Sequence, residues 1–270
     1  MRGRIGSSAL GAGVLAVCLG VGPVQAACAI EPGPIARVAK VLDAETVALE
    51  GGRHVRLINI VSPRRPLWLK PERKWPAAGR AERALGALVA GREVQVFHDG
   101  PKTDRYGRLL GQLYVRQEGG PSWVQGALVE QGHARVQSTV ETRACVRALL
   151  KLERAARAGK RGLWRSAFYR VRPALARDDI VKLKNTFAVI EGKVHKHAQV
   201  GSRSFLNFED DWAHDFTVIV RQRSRRLFEK SEIALEKLQG TGIRVRGWIS
   251  YYNGPMIEVS HPEQIELMNE

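Results

Sequence analysis

Between residues 36 and 61, apolar and β-branched side chains come in three short runs: Ala36 to Leu42, Thr46 to Glu50 and His54 to Val61. Runs of that length and composition predict strands. Asp43-Ala44-Glu45 and Gly51-Gly52 fall between them and predict turns. A polar stretch bearing Pro and Trp follows, Pro63 to Pro76. Ala77 to Ala90 carries Leu85, Leu88 and Val89 at helical spacing and stops at Gly91, which predicts a helix. Strands at Glu93 to His98 and Leu109 to Val115 flank a turn at Thr103-Asp104-Arg105-Tyr106-Gly107-Arg108. Two further helices are predicted, Ser122 to Gln131 and Thr142 to Ala158. The second is apolar along Cys145, Leu149, Leu152 and Ala156 and basic on the other side.

The pattern breaks near Val171 to Asp179, where Pro173 and mixed charge interrupt it. Beyond the break the chain reads mostly as strands: Ala188 to His197, Arg203 to Glu209, Asp215 to Arg221, Gly242 to Tyr251 and Pro255 to Val259. One helix, Ser231 to Gln239, is predicted between the third and fourth. Three strands, a helix and two strands is the order of a small Greek-key barrel, the OB-fold. The sequence contains no internal repeat, Walker loop, zinc-type Cys/His cluster or Gly-x-Ser-x-Gly elbow.

Charge adds a second division. The chain carries a net +16, with a pI near 10.3. Residues 27–176 hold 27 Lys and Arg against 13 Asp and Glu, whereas residues 177–270 hold 14 of each. The basic excess belongs to the first half alone. It suits a polyanionic partner such as nucleic acid, an acidic polysaccharide or an anionic membrane. Charge serving solubility is the other reading.

The N-terminus reads as a targeting segment. Arg2 and Arg4 precede an apolar run, Ala9 to Val21, too short to suit a membrane span, and Val24-Gln25-Ala26 fits a cleavage site. A signal peptide over 1–26 implies a secreted protein, periplasmic or extracellular. Cys18 leaves with the signal. Cys28 and Cys145 remain, and two cysteines in an oxidising compartment point to one disulfide. Lipidation of Cys28 is the alternative, although Gln25 stands where a lipoprotein signal usually carries Leu or Val.

Several landmarks within about residues 36–165 then fall in a telling order. They are Asp43-Ala44-Glu45-Thr46, Arg56-Leu57, Thr103 to Leu110, the run Val124 to Val136, and Gly162-Leu163-Trp164. Together they resemble the staphylococcal nuclease-like (thermonuclease) domain family. The resemblance implies an OB-type five-stranded barrel with three helices. With the second half, the expected fold class is mainly β with helices (α+β): a thermonuclease-like domain over 34–169, a linker over 170–183 and a small OB-like barrel over 184–268.

The resemblance also implies a chemistry. In that family carboxylates hold one calcium ion, a Glu activates water, and two arginines stabilise the charged phosphorus. Arg56 and Arg108 match the arginines, and Asp43 and Glu45 match metal-binding acids. Val61 stands at a metal-binding Asp and Arg64 at the general-base Glu. Neither can do that work: valine has no ligand atom, and a guanidinium stays protonated. Glu72 and Glu82 are the acids that follow and could stand in for the base. Tyr106 matches a tyrosine near the base, but Gln137-Ser138-Thr139-Val140 replaces a loop that carries two more. The implied catalytic set is Arg56, Arg108 and Glu45, with metal at Asp43 and Glu45 if calcium is kept at all. Arg64, Arg65, Arg105 and Tyr106 are the candidate nucleic-acid contacts. Arg56 and Arg108 could instead be ion-pair partners for acids such as Asp43 or Glu45.

In the second half, Gly201 to Phe208, Asp215-Phe216-Thr217, Gly247-Trp248-Ile249 and Gly254 to Val259 resemble OB-fold modules appended to some secreted nucleases. Arg203, Phe205, Arg221, Arg223, Trp248 and Tyr251 would line a nucleic-acid groove there. Otherwise the aromatics belong to the core, and Arg221 to Arg226 is a solvated loop. His195 and His197 read as surface residues. The expected function is a degenerate member that binds nucleic acid or another polyanion with little hydrolysis. The alternatives are an active metal-dependent endonuclease with a rearranged site and a non-enzymatic cell-envelope interaction protein.

Overall fold

The computed structural model describes residues 28–70, 72–211 and 214–268. The expected signal segment lies outside them. The first module contains β1 (Glu31–Asp43), β2 (Thr46–Leu49), β3 (His54–Leu57), β4 (Ile60–Val61), α1 (Pro76–Val89), β5 (Glu93–His98) and β6 (Leu109–Val115). It continues with β7 (Ser122–Trp123), α2 (Val124–Glu130), β8 (Arg135–Val136) and α3 (Val146–Ala158). The sheet order β3-β2-β1-β5-β6 closes on itself because β3 also pairs with β6, in parallel. β1 serves two neighbours, β5 with its first part and β2 with its last, and irregularities in its pairing let it bend between them. Val47, Val55, Val94, Val96 and Leu113 fill the barrel, and Leu85, Leu128 and Leu149 of the three helices pack onto the same core.

The strand expected over 54–61 is interrupted. Asn59 adopts a left-handed φ of 63°, which an Asn tolerates better than most residues. The local geometry is held by its side chain, which donates to Thr142 O at 2.6 Å and accepts from Gln112 Nε2 at 2.5 Å. The two residues after it pair with β8 instead of β6. Helix starts differ as well. Ser122-Trp123 pairs with β6 before α2 begins, and Thr139 to Cys145 forms turns closed on the Thr142 hydroxyl before α3. Gly132 and Gly162, both at positive φ, press backbone on backbone, so Leu163 N donates to Gly132 O at 2.8 Å. Any Cβ there would collide, which is why the Gly-Leu-Trp motif closes the module. Cys28 and Cys145 form a disulfide, with Cα atoms 5.0 Å apart, tying the entry of β1 to the start of α3.

The second module contains β9 (Arg172–Pro173), α4 (Arg177–Val181), β10 (Phe187–Lys193), β11 (Lys196–Val200), β12 (Arg203–Asn207) and β13 (Thr217–Arg221). It ends with α5 (Gln222–Glu229), β14 (Gly242–Tyr252), β15 (Gly254–Val259) and β16 (Ile265–Leu267). Its curled sheet runs β11-β12-β13-β15-β14-β10-β9, with β16 on β14 and a parallel β13–β15 pair. β10 and β11 are consecutive in the chain, so the sheet curls around until two halves of one bent segment border it. This is OB-like order. Two expectations change. The helix falls at 222–229, because Ser224 and Phe228 face the core while the arginines between point outward. Residues 231–239 hold only a short 3-10 turn, Leu235–Lys237, after a bend where Ser231 Oγ accepts from Ile233 N, and Leu235 and Leu238 plug the core. The stretch 170–183, expected as a linker, is folded: β9 pairs with β10, and Ile180 and Leu183 are core residues.

The modules share a charged, buried joint. Arg246 of β14 is 1% exposed. It donates to Glu153 of α3 at 2.7 Å, to Val136 O at 3.1 Å and to Glu266 of β16. Arg157 of α3 closes the network on Glu266 at 3.0 Å. Burial alone would raise the Glu266 pKa, but Arg246 and Arg157 outweigh it and hold it down at about 2. Buried Arg135 stacks on Tyr169 and Phe187 and donates to Phe187 O at 2.7 Å. Arg143 grips Glu263 through two 2.8 Å bonds.

Candidate phosphate-binding site

The β1–β2 turn builds one wall of the site. Asp43 Oδ1 accepts from Glu45 N at 2.7 Å and fixes the turn. Register then places Thr46 opposite Arg56 on β3, which brings the Arg56 guanidinium onto Glu45 Oε2. Glu45 is only 1% exposed, and its carboxylate is fully committed. Oε1 accepts from Ser62 N, and Oε2 also takes Arg64 at 2.9 Å. Ser62 Oγ donates to Ala44 O at 3.2 Å, so the chain leaving β4 is pinned to the same turn.

The turn before β6 builds the other wall. Asp104 accepts from Tyr106 N at 2.9 Å, Arg108 N at 3.0 Å and Arg108 Nε at 2.7 Å. A carboxylate filled by donors in this way fixes both the turn and the fork of Arg108. Tyr106 projects into solvent beside two guanidinium groups, with Arg105 4.8 Å and Arg108 5.5 Å from its ring centre. The parallel β3–β6 pairing sets this turn beside Arg56. Burial lowers the Arg56 pKa, Glu45 and Asp43 oppose that, and Arg64 and Arg108 add to the lowering. Each of these charges therefore acts on Arg56. The structure places Arg56, Arg64, Arg105, Tyr106 and Arg108 at one end of the barrel. Arg65 differs: it donates back to Leu69 O within its own loop.

The residues do not fit a calcium ion. Calcium takes six to eight oxygens. Glu45 is bound up as described, Asp43 gives one oxygen to Glu45 N, the side chain of buried Val61 offers no ligand, and the Ser62 hydroxyl is engaged. Among the described residues no group of three His, Cys, Asp or Glu side chains converges. Arg64, which the sequence presents as a lost base, takes the Glu45 oxygen that a cation would need. Glu72 and Glu82 are exposed, and among the described residues neither forms an ion pair with Arg56, Arg64 or Arg108.

The replaced tyrosine loop has a different task. Ser138 Oγ lies 2.7 Å from His261 Nε2 of the second module, and Gln137 N donates to Asn59 O at 3.1 Å. The loop is a docking surface for the second module. No local sequence signal marks that role, nor the buried state of Glu153, Arg246 and Glu266. In the second module, Arg203, Phe205 and Arg221 line an open groove of about 910 Å³ with Ala198, Ile219 and Met256 on its floor. Arg221 is paired with Glu258 at 2.6 Å. Trp248 packs edge-on against Phe187 and Tyr251 lies beneath Lys184, so neither is core. His195 pairs with Asp210 at 2.8 Å.

A closed five-stranded barrel with arginines gathered at one end of β3 and β6 defines a nuclease-type OB domain. Residues 54–166 match the family described as staphylococcal nuclease homologue, and the chain belongs to that family. It is 33% identical over 135 residues to Protein ParB of Escherichia coli, covering 47% of this chain and 70% of that protein. It is 34% identical over 134 residues to an uncharacterized endonuclease of Escherichia coli O157:H7, covering 48% and 77%. A probable staphylococcal-like nuclease, CAN2, of Oryza sativa subsp. japonica matches at 32% over 97 residues, 36% of this chain and 24% of the plant protein.

Proposed function

We propose that this protein is an exported nucleic-acid-binding member of the family whose phosphodiesterase site has become a metal-free phosphate grip. The observation that carries the reading is the Arg64–Glu45 contact at 2.9 Å. A tethered guanidinium stands on the carboxylate that would hold the ion, at the chain position of the family's base. Arg56 and Arg108 supply forked donors suited to a phosphate. Without a base or a metal cage, hydrolysis loses two of its supports, the base alone being worth about 10²–10⁴ in rate. The Cys28–Cys145 disulfide supports export to an oxidising compartment, and N-terminal sequencing of the periplasmic fraction would locate the cleavage near Ala26.

The test is binding of single-stranded DNA and RNA with calcium or with EDTA. Expected are equal affinities in both, no cleavage, and a logarithmic loss of affinity with salt. Replacing Arg56 and Arg108 with alanine should weaken binding and flatten the salt slope by about 1.4. EDTA-sensitive cutting that Glu45→Ala abolishes would establish the active-nuclease reading instead.

A further inference from the structure

The loop that leaves the phosphate grip carries its apolar residues where loops rarely place them. Pro66 to Leu69 forms a β-turn closed by Leu69 N donating to Pro66 O at 3.1 Å, and Arg65 braces it by donating to Leu69 O. Pro66 is buried and anchors the turn. The two central positions, which favour small polar residues or glycine, hold Leu67 at 86% exposure and Trp68 at 62%. Arg64, Arg65, Lys70, Arg73 and Lys74 flank them against one acid, Glu72. The base of the loop is fixed to Glu45 through Ser62 and Arg64. Trp68 lies four residue steps along the chain from Arg64, a reach of at most about 14 Å.

We infer that Trp68 is a stacking platform for an unpaired base, and that it makes the phosphate grip selective for single-stranded nucleic acid. This inference rests on the proposed function and names its substrate class. An indole accepts any base because every base has a π-face, while cations along the same groove track the phosphates. Bases inside a duplex have both faces covered by their neighbours, so a protruding tryptophan gains nothing from them. The cations around the turn match a phosphate backbone in sign, and the braced turn holds the ring out at little ordering cost.

The test measures fluorescence anisotropy of a labelled oligothymidine and of a labelled hairpin duplex. Proteins compared are the wild type, Trp68→Ala, Trp68→Phe and Arg56→Ala/Arg108→Ala. Trp68→Ala should bind the single strand about tenfold more weakly, with an unchanged salt slope, because stacking releases no counterions. Trp68→Phe should recover most of the loss, and duplex binding should not move. Thermal melts of the two Trp68 variants should overlay that of the wild type. If the double arginine variant loses binding while Trp68→Ala matches wild type on both probes, the phosphate grip stands and this inference falls. If Trp68→Ala binds both probes equally weakly, strand selectivity falls. If neither probe binds the wild type, both readings fall. Phosphatidylglycerol vesicles that bind the wild type but not Trp68→Ala, with oligothymidine binding unaltered, would assign the turn to a membrane surface and overturn the inference.

Discussion

His261 makes the joint between the modules sensitive to acid. Its side chain is fully buried, with Nε2 2.7 Å from Ser138 Oγ and Nδ1 2.9 Å from Ser260 Oγ. Burial pushes its pKa down to about 4; Glu263 and Glu141 resist, and Arg143 assists. The ring is therefore neutral in the folded protein across the range where an unfolded histidine, near 6.5, takes up a proton. Stability is complete above that value and falls as pH drops toward 4. The interval between the two values corresponds to about 3 kcal/mol in total, of which about 2 kcal/mol is lost by about pH 5. Half-buried His133 is also lowered, by desolvation and by Arg80, and acts in the same direction. Glu266 adds a further loss below about pH 4.5 as its carboxylate begins to be protonated in the unfolded chain. A difference measurement isolates His261. Urea unfolding of wild type and His261→Gln at about pH 7.5 and about pH 5 should show the pH-dependent loss about 2 kcal/mol smaller in the variant. Identical losses in the two proteins would refute a neutral, buried His261.

Arg246→Met removes the buried cation shared by Glu153 and Glu266, leaving Glu153 to Arg157 alone, and should cost about 3–5 kcal/mol in chemical denaturation. Restoring much of that with Glu153→Gln and Glu266→Gln would confirm that stranded charge is the cause, and a near-neutral single variant would deny it. Reducing the disulfide should lower stability by about 2–5 kcal/mol, and reductant should leave Cys28→Ala unaffected; an equal response of that variant would point elsewhere. Val61→Asp with Arg64→Glu returns two carboxylates and lifts one of the two guanidinium groups from Glu45, so terbium luminescence should report cation binding in the variant and not in the wild type. A wild type that binds the probe equally well would contradict the reading of Arg64.

Those residues also show where the sequence is readable. Arg56, Asp104 and Arg108 sit inside short turns and strand ends whose neighbours in the chain are their neighbours in space, so local spacing reveals them. The β-branched runs reveal the strands for the same reason. Arg246 and Glu153 lie on different modules, and each looks like any solvated charge in its own helix or strand. Burial that depends on a partner about a hundred residues away leaves no local mark. The arginines of α5 mislead in the opposite sense: a basic run suggests an open loop, while Ser224 and Phe228, four apart, face inward and hold a helix. Asn59 breaks a strand that its β-branched neighbours favour, because its side chain finds Thr142 and Gln112. Ser138 and Thr139 look like a damaged nucleotide platform, and only the docked second module shows what the loop does.

The buried joint has an electrical consequence. A module with a large positive excess is locked to one whose formal charges cancel, so the molecule as a whole carries a permanent dipole. In the field of a polyanion such a body turns before it touches. The basic module, which carries Arg56 and Arg108, would lead.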